Sequence, residues 1–93
     1  MSNGKELELI AIGFGNFAAA DKIVAVLSPD SAPIKRMISD GRERGLLIDA
    51  SFGRSTRSVL LMESNHMILS SLTTEDLNLR IRNADKSGGT HTA

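Results

Sequence analysis

Apolar and polar positions alternate through Leu7, Glu8 and Leu9 and then run together as Ile10, Ala11 and Ile12. The pattern predicts a strand over 7–12 whose second half is buried on both faces. Gly13, Phe14, Gly15 and Asn16 break it with turn residues. The β-branched run Ile23–Leu27 predicts a second strand, stopped by Pro29. The period then lengthens. Ile34, Met37 and Ile38, with Gly41 at the next turn, form one stripe of a helix. Asp30 or Ser31 supplies its N-cap, Pro33 suits the first turn, and Gly45 is a C-terminal stop. Gly41 costs about 1 kcal/mol relative to alanine in a helix, which a close contact on the buried face would explain.

Leu46–Ala50 reads as a third strand, and Ser51–Arg57 as a polar turn centred on Gly53. Val59–Met62 and Met67–Leu72 are two strands joined through Glu63, Ser64, Asn65 and His66, a hairpin spacing. Thr73 or Thr74 opens a last helix with Glu75 and Asp76 in its first turn, where the macrodipole favours carboxylates. Its apolar positions are sparse: Leu72 and Leu79, joined by Leu77 and Ile81. Asp85–Ala93 has no periodicity and is expected to be a mobile, disordered tail. The order is β-β-α-β-β-β-α: a small α+β domain over 5–84 with a largely antiparallel sheet.

Ninety-three residues allow one modest core, and a chain of this size gains from self-association. The absence of cysteine excludes disulfides and thiolate chemistry and fits a reducing cytoplasm. Three phenylalanines are the only aromatics, little material for base-stacking platforms. Acids interrupt the N-terminal segment where a signal peptide needs an apolar core, and no run reaches membrane-spanning length. These features predict a soluble intracellular domain.

Catalytic chemistry is poorly served. Gly13-Phe14-Gly15-Asn16-Phe17-Ala18 matches the dinucleotide fingerprint formally, but the next strand ends at Leu27, too soon for a crossover helix. The segment is read as a glycine turn or bulge, with Phe14, Asn16 and Phe17 as structural or subunit-interface residues. His66 and His91 lack metal-ligand spacing. Ser64, Asn65 and His66 lack an oxyanion glycine and an orienting acid. No enzyme, metal or cofactor is expected, and no small-molecule substrate; a nucleotide sensor would rest on the glycine turn alone.

Charge changes the picture more. Eleven cations balance eleven carboxylates overall, yet Ser31–Arg57 holds six cations against three acids. Arg42 and Arg44 suit a helix C-terminus. Lys35 and Arg36 lie early in the helix, where cations are disfavoured. Arg36 can pair weakly with Asp40, and Asp49 is a natural partner for one of these cations, across strands or between subunits. Arg54 and Arg57 flank Ser55 and Thr56 just past Gly53. Forked donors and hydroxyls on one exposed loop suit phosphate oxygens or a base edge; a solvated hairpin tip is the plainer alternative.

Several blocks of the chain resemble the RemA family of small bacterial regulators of biofilm-matrix genes. They are Ile12–Asn16, Ser28–Ile38, Gly45 with Leu47–Ala50, Gly53-Arg54 with Thr56-Arg57, and Ser64–Ser70, within residues 7–72. The resemblance implies a cytoplasmic activator of transcription that binds double-stranded DNA. It also implies a ring-shaped homo-oligomer that repeats a few cations per subunit around the ring, multiplying a modest site. The family's DNA-contacting cations map onto Lys22, where arginine is frequent, and Arg54; the following position, often a second arginine, is Ser55. Arg57 and Thr56 would support them. Lys35 and Arg36 would instead bridge subunits or fasten the turn through Asp49. The alternative is an oligomeric structural or protein-interaction module that does not bind DNA and spends its cations on intersubunit ion pairs.

Overall fold

The computed structural model describes residues 8–90, with the side chains of the last helix described to Ala84. In order along the chain, β1 is Leu9–Gly13, β2 Asn16–Ala19, β3 Ile23–Leu27, α1 Ala32–Glu43, β4 Leu47–Asp49, β5 Ser58–Met62, β6 Met67–Ser70 and α2 Thr74–Thr90. A single 3-10 turn, Ala20–Lys22, joins β2 to β3. Strands β1 and β2 form an antiparallel hairpin; the other four form a sheet in the order β3-β5-β6-β4.

Both helix starts are held by side chains. The Ser31 hydroxyl accepts from Ile34 N–H at 3.4 Å, and the Thr73 hydroxyl accepts from Asp76 N–H at 3.1 Å. Substituting such a cap by alanine typically costs ~1 kcal/mol. Helix α1 ends in a Schellman arrangement: Leu46 N–H bonds to Gly41 C=O at 2.8 Å and Gly45 N–H to Arg42 C=O at 3.3 Å, with Gly45 at φ 73. Gly41 is buried, but a Cβ there would meet Met67 Sδ at 3.5 Å, an ordinary contact. The expected tight approach is absent.

The sheet is covered on both faces. Helix α1 places Ile34 and Ile38 against Val59, Met67 and Leu69. The β1–β2 hairpin and α2 cover the other face, where Ile10, Ile12, Ala18, Leu60, Ile68 and Leu77 form the main core. Two side chains assigned inward face out instead: Met37 is 37% exposed and Leu79 56%. The buried stripe of α2 is Leu77, Ile81 and Ala84, at helical spacing. Leu77 is fully buried, so truncation to alanine there costs about 2–5 kcal/mol.

The element order departs from the sequence expectation at β2. Asn-Phe-Ala-Ala carries no β-branched residue and little strand signal of its own; the glycine turn and pairing with β1 impose the strand. The sheet is mixed: β4 runs parallel to β6, with Leu47 opposite Met67 and Asp49 opposite Leu69. Residues 51–57 are therefore not a hairpin tip. They carry the chain from β4 past the end of β6 to β5. Helix α2 has helical backbone as far as Thr90, beyond Asp85; residues 91–93, with 1–7, lie outside the described residues. No described helix is long and apolar enough to cross a membrane.

Candidate nucleic-acid interface

The C-terminal end of β6 gathers three segments from distant parts of the chain. Buried Ser70 donates its hydroxyl to Ile12 C=O at 2.9 Å and accepts from Leu72 N–H at 3.1 Å. Leu69 C=O accepts from Ala50 N–H, and Ser70 C=O from Arg57 N–H, both at 2.8 Å. The last turns of β1, the start of the 51–57 loop and its end are thus fastened to two adjacent residues. Buried Ser58 adds a bond from its hydroxyl to Leu72 C=O at 2.7 Å.

Two turns of the same design meet there. Gly13-Phe14-Gly15-Asn16 has φ 50 at Phe14 and φ 78 at Gly15; Ser51-Phe52-Gly53-Arg54 has φ 54 at Phe52 and φ 79 at Gly53. Positive φ at both central residues marks a type I′ turn, which favours asparagine or glycine and disfavours a bulky side chain. Each phenylalanine stores strain on the order of 1–3 kcal/mol. The first turn is braced by Asn16 Nδ2, which donates to Gly13 C=O at 3.0 Å. The second is closed by Arg54 N–H on Ser51 C=O at 3.0 Å.

Asp49 anchors the second turn from below. Its Oδ1 accepts from Ser51 N–H at 2.9 Å and also from the Ser51 hydroxyl. The Ser51 hydroxyl bond, then the Ser51 N–H bond, hold the Asp49 carboxyl below its ordinary range; slight burial opposes them and the Arg42 charge assists. The cation partner expected for Asp49 is replaced by Ser51, because an Asx-type turn needs that carboxylate for the backbone. Asp40 likewise pairs with Arg44, at 3.2 Å, in the favourable i,i+4 order rather than with Arg36. No ion pair reaches Lys35 or Arg36 among the described residues.

The two turn phenylalanines stack, with ring centroids 5.1 Å apart and planes at 29°. The Arg54 guanidinium carbon lies 5.6 Å from the Phe14 centroid, within cation–π range. Phe14 and Phe17 are exposed, so neither is a core residue of the protomer. Arg54, Ser55 and Arg57 are exposed and Thr56 half-buried. Among the described residues neither Arg54 nor Arg57 has a carboxylate partner. Composition alone missed Phe52; the signal available was the repeated Phe-Gly dipeptide.

Lys22 is not part of this cluster. It sits at the other end of β5, where its carbonyl accepts from Glu63 N–H at 2.8 Å and its ammonium lies 3.5 Å from Glu63 Oε1. Next to it, the Ser64 hydroxyl and His66 Nδ1 are 2.7 Å apart, so the imidazole of the turn histidine is tied to a neighbouring side chain. An open groove of about 520 Å³ runs between them and Ile48 and Ile68.

The profile of the RemA-like family, described as extracellular matrix regulatory protein A-like, matches residues 9–81. Three bacterial relatives carry the name "Putative regulatory protein". That of Caldicellulosiruptor saccharolyticus is 52% identical over 81 residues, covering 87% of this chain and 80% of its own. That of Alkaliphilus oremlandii is also 52% identical over 81 residues, 87% of each chain. That of Desulforudis audaxviator is 54% identical over 76 residues, 82% of this chain and 80% of its own. A match over this much of the domain, at this identity, places the chain in the RemA-like family.

Proposed function

We propose that this protein is a DNA-binding transcriptional regulator of the matrix-gene kind. Arg54 holds DNA phosphates, supported by Ser55, Thr56 and Arg57, with repeated copies of the site on a ring-shaped homo-oligomer. The observation that carries the reading is the exposed Arg54, which has no carboxylate partner among the described residues and is set over Phe14 on a strained turn. A guanidinium with no carboxylate to satisfy is free for phosphate, and stacking limits the rotamers it must lose on binding. No catalytic step is assigned to the protein.

Lys22 enters this reading as a second, weaker phosphate contact. An exposed ion pair such as Lys22–Glu63 contributes about 0–1 kcal/mol, so exchanging Glu63 for phosphate costs little. Lys22 and Arg54 occupy opposite ends of β5 in one protomer. A head-to-tail ring joins unlike surfaces of neighbouring copies and would set one subunit's Lys22 end beside the next subunit's Arg54 end. Open strand edges at β3 and β4, with Val24 62% and Ile48 47% exposed, support such an association. The same exposed residues favour the second reading, an oligomeric structural module without DNA.

Fluorescence anisotropy of a labelled duplex of arbitrary sequence separates the two. The DNA reading predicts binding at about 50 mM salt that weakens by orders of magnitude at about 200 mM, as multiple phosphate contacts require. Absence of binding at the lower salt leaves the structural module.

A further inference from the structure

Phe52 is the most exposed large apolar side chain among the described residues, at 78%, and a left-handed backbone holds it there. Glycine or asparagine would make the same turn with less strain, and the ring gains no core contact in return. Its aromatic neighbour is Phe14, itself stacked upon and beside Arg54. The loop therefore presents two stacked aromatic rings beside a guanidinium, with the hydroxyl residues Ser55 and Thr56 next along the chain. A nucleobase needs a π-face to lie on and a donor for its adjoining phosphate, and both are present.

We infer that Phe52 stacks on a nucleobase displaced from the duplex stack while Arg54 holds the neighbouring phosphate. The inference rests on the DNA reading above and extends it: the loop selects DNA at a kinked or unpaired step, where a base is cheapest to expose. Three phenylalanines are too few for a stacking surface spread through a fold. Folding gathers two of them into one stack beside an arginine.

The test compares a fully paired duplex with the same duplex carrying one unpaired adenine, by anisotropy at about 50 mM salt. The wild-type chain binds the bulged duplex about tenfold more tightly, within the range for base–aromatic stacking. Phe52→Asn, which suits the left-handed backbone, loses the preference and binds both duplexes equally. The chain has no tryptophan or tyrosine, so Phe52→Trp introduces a single emitter; it keeps the preference, and its emission is quenched when saturated with bulged duplex. Equal wild-type affinities for the two duplexes, or unquenched emission at saturation, overturn the inference and leave the DNA reading standing. Failure of the wild type to bind either duplex overturns both.

Discussion

At the end of the sheet where β6 finishes, Arg54 is backed by an aromatic ring and has no carboxylate partner among the described residues, on a loop fastened to Leu69 and Ser70. At the opposite end, Lys22 lies 3.5 Å from Glu63 and its neighbours are tied to each other, Ser64 to His66. Both ends carry exposed cations, Arg54 with Arg57 at the first and Lys22 at the second. Their surroundings differ. Lys22 is already neutralised and Arg54 is held ready, so availability for a phosphate is decided by local partners rather than by net charge, which is zero for this chain.

The contrast fails first if the Arg54 end is not a rigid platform. Ser70 is fully buried and bonds to Ile12 and Leu72. Ser70→Ala leaves those groups unmet and should destabilise the fold by about 1–3 kcal/mol, read as a lower denaturant midpoint. Unchanged stability would mean that the turns are not anchored through this strand end. The contrast sharpens with charge changes at each end. Arg54→Ala should weaken duplex binding by about tenfold or more, the loss of a charge-assisted contact at ~1.5–3 kcal/mol. Lys22→Ala should cost less, and Glu63→Gln should tighten binding slightly by releasing Lys22. Equal losses at the two ends would erase the distinction.

Acid offers a third handle on the Arg54 end. The Asp49 carboxyl is held below its ordinary value in the folded chain, chiefly by the Ser51 hydroxyl and then by Ser51 N–H. Its contribution is therefore complete above the unfolded pKa, about 3.9, and is lost as pH falls through the depressed folded value. Asp49→Asn should flatten that acid limb in thermal unfolding while leaving the His66 end unaltered. The smallest effect lies away from both ends. Gly41→Ala meets only an ordinary contact with Met67 and should stabilise by about 0.4–1 kcal/mol; a loss of stability would restore the tight-packing reading of that glycine.

Features with local causes were legible in the sequence. The caps at Ser31 and Thr73, the Gly45 stop and the Glu63–His66 hairpin each depend on a few consecutive residues, and each is found. Parallel pairing of β4 with β6 joins segments whose order no short window reveals, and β2 has almost no propensity of its own. The site was half-legible. The Arg54 loop stood out by its composition. Its aromatic backing did not, because Phe14 and Phe52 are brought together only by Ser70 and the far end of β6. Asp49 was legible as a residue in need of a partner, but Ser51, two positions on, satisfies it before any distant cation can.

The central claim is that Arg54 supplies a phosphate contact that Lys22 does not match. The most direct measurement is the salt dependence of duplex binding for the wild type, Arg54→Ala and Lys22→Ala, each first verified to keep the wild-type assembly by light scattering. Removing one phosphate contact per bound site lowers the slope of log K against log salt by about one. The account predicts that reduction, or a multiple of it, for Arg54→Ala and a clearly smaller one for Lys22→Ala. An unchanged slope for Arg54→Ala, or a larger drop for Lys22→Ala, would contradict it.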